Sequence, residues 1–450
     1  MNRNSSIYFI ALCLAGIVAG FDASIVNSAF PVIKKALNAN ITQMQWMLTC
    51  FSLLFSACTV PFGMLSDLKG RREMLLITLI VLTLVSLGAG LAQTPWFLMV
   101  MRGLQGACVA MFFPCAVGTI QNIFPEAIRV RTVSIFFALF GVGVGIGPLL
   151  GAVLMHWLSW RWVFFINIPF ALISLFITYI WGIESKREGK NTLIDWLGAL
   201  CFIVGIGAFV FILNEWPYYG WHTPIIAACI LTVIAFLLLF FVEKKAAAPL
   251  IMPSLYLNRN FAIATITTSI GVGYSFVFLF LIPLYLHMVL KFSIFMAGIT
   301  LCAMTVMVII SPMISGALFE KNKKKLIVHI VFLGDVAGLV LASYFGMDGP
   351  LWLVILSIIL IGIAWGTINS VSTPFSIGKN YQHAGVITGG LITNFNMAFV
   401  IFFNFAMMFF HYGIRHVNFV YGLHLACYVL LIIAVLFWLA ATMIMRKPLQ

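Results

Sequence analysis

A chain of 450 residues with 63% hydrophobic and only 8% charged side chains is not an ordinary soluble protein, in which about a quarter of the residues are charged. Its mean hydropathy is +1.12. The formal net charge is +13, but the basic residues sit at the ends of apolar runs rather than on one face or tail, which argues against nucleic acid as a partner.

Apolar runs long enough to cross a bilayer recur along the whole chain. They fall near 7–33, 43–66, 74–93, 95–122, 133–157, 162–183, 194–215, 223–242, 261–289, 293–319, 325–346, 350–376, 384–411 and 419–445. This predicts an all-α polytopic membrane protein with fourteen spans and the lipid bilayer as its surroundings. With the N-terminus placed in the cytoplasm, nineteen Lys and Arg lie on that side and five on the other, with Arg102 inside a span. That asymmetry follows the positive-inside rule and puts both termini in the cytoplasm. All nine cysteines fall inside spans without metal-ligand spacing, so they read as small packing residues. No phosphate-cradling P-loop, metal-binding pattern or nucleophile elbow is present. Enzymatic activity and a bound cofactor are therefore not expected.

The first span contains "FDASIVNSAFP", residues 21–31. A carboxylate such as Asp22 costs at least about 2.5–3.5 kcal/mol in the middle of a membrane helix, so such residues are kept for a purpose. "GMLSDLKGRREM", residues 63–74, forms a short charged turn after the second span. "RGLQG", 102–106, lies in the fourth, "GVGIGPLLGA", 143–152, in the fifth, and "WRWVFFINIPF", 160–170, leads into the sixth. "GALFEKNKKK", 316–325, repeats the glycine, leucine, acid and basic cluster of the 63–72 turn at the same offsets. It falls between spans ten and eleven, where two parallel halves of six spans would put it.

Together these segments resemble the signatures of the major facilitator superfamily, in its fourteen-span drug:proton antiporter branch. The 63–72 turn resembles the G-x-L-a-D-r-x-G-r-[kr] motif, and Gly143–Ala152 resembles the glycine–proline motif of proton-coupled exporters, with Ala152 in place of the final glycine. "PLIMPSLYLNRNFA", 249–262, looks like that branch's lead into span nine, and "HAGVITGGLITN", 383–394, continues the likeness more faintly. The resemblance implies two six-helix bundles, 1–183 and 249–450, flanking a pair of extra helices in 184–248. It further implies exchange of small molecules for protons by alternating access, while short tails and the short loop "HYGIRHVN", 411–418, suggest a bacterial cell inner membrane, with a monomer expected. Gly63, Asp67, Gly70, Arg71 and Arg72 would then gate the inner side, and Gly143, Gly147, Pro148 and Gly151 would limit leak. Mere anchoring of the turn and ordinary small-residue packing are the plainer alternatives.

Depth estimates bring two charges together. At 1.5 Å per residue, Asp22 lies about 16 Å from the outer end of its span and Arg102 about 10 Å from the outer end of its own. The pair is either a coupling device that protonation loosens or a static ion pair. Asp335, the other acid deep in a span, is a second titrating group, a contact for a cationic substrate, or a structural carboxyl. Residues expected to meet an amphipathic or cationic small molecule are Asn27, Trp46, Gln105, Phe136, Phe140, Tyr274 and Asn394, with Phe51, Phe137 and Asn396 as neighbours. Export of a natural metabolite such as a siderophore, proton-coupled import, and ligand sensing without transport remain as rival functions.

Overall fold

The computed structural model describes residues 3–184, 195–244, 253–377 and 384–445. The expected linkers at 184–191 and 243–249 lie almost entirely outside them. The described residues form helices α1 (Arg3–Ala36), α2 (Ile41–Lys69), α3 (Arg71–Gly90), α4 (Pro95–Ile123), α5 (Glu126–Trp157), α6 (Trp162–Phe165), α7 (Asn167–Trp181) and α8 (Trp196–Tyr219). They continue with α9 (Thr223–Glu243), α10 (Pro253–Tyr256), α11 (Arg259–Met288), α12 (Ile294–Glu320), α13 (Lys324–Ala342), α14 (Leu351–Ile377), α15 (Ala384–His416) and α16 (Phe419–Met445). With α6 and α7 counted as one, fourteen are long and apolar enough to cross a membrane, as expected. Helices suit the bilayer because each satisfies its backbone N–H and C=O groups within its own segment.

Polar residues outside the apolar runs set the helix starts. Asn40 and Gln43 form a reciprocal capping box at α2, and the side chains of Thr94, Asp195, Asn258 and Ser293 cap α4, α8, α11 and α12. Each satisfies an N–H that the helix itself leaves open.

Helices α1–α7 pack as one group and α11–α16 as another, meeting through α2 against α15, α5 against α12 and α1 against α11. Helix α8 lies against α2 and α15, and α9 packs on α8. Burial separates centre from periphery: 94% of the α11 core window is buried but only 22% of that of α9. The extra pair thus sits beside the α2–α15 junction, with α9 on the outside.

Two seams differ in chemistry. Between α2 and α15, Thr49 donates to Asn404 at 3.2 Å, Ser56 donates to the Thr393 carbonyl at 3.0 Å, and Gln45 meets His411 at 3.3 Å. Asn214 of α8 joins this seam by donating to Asn404 Oδ1 at 3.2 Å. Between α1 and α5 the backbones touch instead: a Cβ on Gly20 would strike the Phe140 carbonyl and Val144, and one on Gly143 would strike Ile17. Pro148 supplies no N–H to the carbonyl four residues back. That carbonyl, of Val144, is taken by the Ser24 hydroxyl at 2.7 Å. A side chain on Gly147 or Gly151 would displace the hydroxyls of Ser24 and Ser28.

Gly143→Ala forces its methyl into backbone rather than a flexible side chain, so an overpacking cost of about 1–3 kcal/mol is expected. Thermal unfolding in detergent should show a clear drop in Tm. Gly316→Ala, where a Cβ would meet nothing within 4 Å, should leave Tm unchanged or raised.

Candidate functional site

Between the two helix groups lies a cavity of about 670 Å³, counting the open space that adjoins it. The first group lines it with Asn27 of α1, Phe51, Ser52 and Phe55 of α2, Arg102 of α4 and Phe140 of α5. The second lines it with Phe276 of α11, Trp365 and Asn369 of α14, and Phe395, Asn396 and Phe399 of α15. Phe113 fixes the N-terminal wall, standing edge-on to Phe140 at 5.0 Å and stacked with Phe55 at 5.6 Å. Phe276 packs at 5.6 Å from Trp365 and 5.0 Å from Phe399 on the facing wall. Aromatic surfaces on two sides and a few convergent polar groups are the usual makings of a small-molecule site.

Behind the N-terminal wall is a buried ion pair. Arg102 Nη1 donates to Asp22 Oδ2 at 3.1 Å, with side-chain exposures of 0% and 1%. The same nitrogen donates to Gln105 Oε1 at 2.9 Å. Asp22 Oδ1 accepts from Asn167 Nδ2 at 2.7 Å and from Gln105 Nε2 at 3.3 Å, while Gln105 also donates to Ser86 at 3.0 Å. Helices α1, α3, α4 and α7 are thereby tied at one point. The Arg102 guanidinium lies 4.4 Å from the centroid of the Phe51 ring, a cation–π contact that offsets part of its desolvation. Its Nε and Nη2 have no hydrogen-bond partner.

The 63–72 turn forms a second cluster, at the helix ends. Gly70 adopts φ +111°, which a residue with a Cβ resists. Arg71 pairs with Asp67 at 2.8 Å and donates to the Gly118 carbonyl at 2.9 Å. Arg72 donates to the Tyr179 carbonyl at 2.7 Å, and its backbone N–H to Glu184 at 3.2 Å. Gly63 packs against Pro114. The repeat at 316–325 is tied differently: Lys324 lies over the Phe319 and Phe375 rings.

Of the residues expected to meet substrate, Asn27 and Phe140 are on the cavity wall, as are their neighbours Phe51 and Asn396. Gln105 is drawn into the Asp22 network because its amide completes the ion pair. Phe136 is fully buried against Phe112 and Phe113 with Phe137 beside it. Tyr274 turns into its own bundle, donating to the Leu430 carbonyl at 2.7 Å. Asn394 accepts from Tyr256 at 2.6 Å, and Trp46 packs half-buried against the main core. Asp335 is fully buried on α13, away from the cavity, with neither oxygen hydrogen-bonded. Nothing in the sequence pattern singles out Asn369, Trp365, Phe276 or Phe399, and the lone amide in "INIPF" is the one signal for Asn167.

Residues 12–216 match the model of the family described as Major Facilitator Superfamily. Multidrug resistance protein 3 of Bacillus subtilis (strain 168) is 31% identical over 375 residues, 83% of this chain and 70% of that protein. The chain belongs to the major facilitator superfamily. Its fourteen spans and these relatives place it in the fourteen-span branch that includes drug-resistance proteins, and make it a transporter rather than an enzyme. Riboflavin transporter RibZ of Clostridioides difficile (strain 630) is 27% identical over 365 residues, covering 81% of this chain and 79% of that one. A crystal structure of the POT family transporter PepTSo shares the superfamily fold, with a TM-score of 0.70, 11% identity and 98% coverage of both chains.

Removing one partner of a buried ion pair leaves an uncompensated charge and costs about 3–5 kcal/mol, whereas removing both is far milder. Arg102→Met alone should therefore lower Tm strongly, and the Asp22→Asn/Arg102→Met double variant should recover most of the loss. Additive losses in a double-mutant cycle would mean the two charges are not energetically coupled.

Proposed function

We propose that this superfamily member is a proton-coupled efflux transporter that exports small molecules by alternating access. The observation that carries the reading is that Arg102 serves two places at once: it is the partner of buried Asp22 and part of the cavity wall. Adding a proton to Asp22 removes the negative charge opposite Nη1 and leaves a buried cation held by Gln105 and Phe51. Relief comes from a rearrangement at the wall, which links proton uptake to the shape of the site. Asp335, buried without a partner, is a second titrating group on the C-terminal side.

The Asp67–Arg71 clamp and its ties to α4 and α7 would lock the cytoplasmic helix ends in one state and release them in the other. The α1–α5 glycine seam would keep the outer half tight against leak. The charge asymmetry supports both termini in the cytoplasm, and the likeness to bacterial proteins supports a bacterial inner-membrane location, with a monomer as the working unit. Export is favoured by likeness to a multidrug resistance protein. A metabolite as cargo is the second reading, favoured by likeness to a protein named as a riboflavin transporter.

In proteoliposomes, adding a transported dye should release protons from the lumen, and Asp22→Asn should abolish that release while dye binding persists. Unchanged proton movement in Asp22→Asn, with loss in Asp335→Asn, would move the coupling group to α13. Uptake of dye with protons rather than against them would overturn export.

A further inference from the structure

Two residues of the N-terminal wall carry buried hydrogen-bond donors without partners. Arg102 spends Nη1 on Asp22 and Gln105, while Nε and Nη2 remain unpartnered, and the amide nitrogen of Asn27 is also buried without a partner. Both residues line the cavity. Among the described residues no aspartate or glutamate does, and Arg102 is the one charged side chain there. Asp22 is not among the residues that line it, and its Oδ1 and Oδ2 already accept three hydrogen bonds between them. Asn396 ties its own amide nitrogen to the Ile392 carbonyl at 2.9 Å.

A buried donor without an acceptor costs about 1–3 kcal/mol, more for a charged one, and a ligand that supplies the acceptor recovers it. A ligand cation would meet the opposite situation: no carboxylate on the wall to pair with and donors it cannot satisfy. Asn27 lies five residues beyond Asp22, about 7–8 Å further along α1. The cavity beside these donors is flanked by aromatic side chains, Phe51 and Phe140 on one side and Phe276 and Trp365 on the other.

We infer that the cavity selects flat aromatic molecules that are neutral or anionic and carry carbonyl or carboxylate oxygens, rather than lipophilic cations. The oxygens accept from Asn27 Nδ2 and the free edge of Arg102, and the ring system stacks between the two walls. This rests on the cavity being the transport site proposed above. It departs from the amphipathic or cationic cargo expected from sequence.

Fluorescein and rhodamine 123 share a xanthene ring but differ in charge, the first anionic and oxygen-rich, the second cationic. Their binding to the purified full chain in nanodiscs, followed by fluorescence anisotropy at fixed pH and without a gradient, isolates selectivity from proton coupling. Fluorescein is expected to bind at least tenfold tighter. Asn27→Ala should weaken fluorescein about tenfold and leave rhodamine 123 unaffected, and Asn27→Asp should reverse the order; size-exclusion profiles confirm that both variants are folded. Equal or tighter binding of rhodamine 123 by the unaltered chain, no binding of either dye, or a preference indifferent to both Asn27 variants would each overturn the assignment. Failure of proton release in proteoliposomes with the binding preference intact would overturn antiport alone.

Discussion

The N-terminal half is organised around the need to keep one guanidinium and one carboxylate out of water together. Arg102 and Asp22 come from helices α4 and α1, and three polar side chains from α3, α4 and α7 complete their shell. Desolvation makes either charge alone intolerable, so the positions of four helices are coupled to the integrity of a single pair. The shell is complete on the Asp22 side and incomplete on the Arg102 side, where two donors go unused on a residue that also lines the cavity between the halves. Structural necessity and chemical opportunity thus fall on the same residue.

The C-terminal half contrasts with this. Asp335 is equally buried but has no donor near enough to bond it, and Tyr274, whose hydroxyl lies in the same bundle, is committed to the Leu430 carbonyl. Its contribution to the cavity is chiefly aromatic and amide. The N-terminal half brings the charge and the C-terminal half the stacking surface.

The fourteen helices were legible because hydrophobic length is a local property, and Asp22 and Arg102 could be matched from their depths because rise per residue is constant. The rest depends on rotation about the helix axis, which a helix that is apolar all round does not encode. Phe136 and Phe140 are one turn apart, yet the first is sealed among Phe112 and Phe113 while the second borders the cavity. Tyr274 read as a wall residue for the same reason, and α11, in which almost every side chain is buried, gives no polar face to orient it. Asn167 was hidden because a single amide after a helix break carries no periodicity; only the three-dimensional meeting of α7 with α1 reveals what it serves.

A proline in a membrane helix commonly leaves a loose joint, because the carbonyl it frees is left to water or to nothing. Here the Ser24 hydroxyl occupies the carbonyl freed by Pro148, and the glycines around it let α1 fill the space where α5 would flex. The gap at the proline is therefore filled, and α1 and α5 pack backbone against backbone along this stretch. On the far face of α5 the Thr305 hydroxyl of α12 meets the Gly145 carbonyl and Gly298 faces Ala152. That face combines small side chains at Gly145, Ala152 and Gly298 with one hydroxyl contact and, further along, the His156 ring 5.0 Å from that of Phe295.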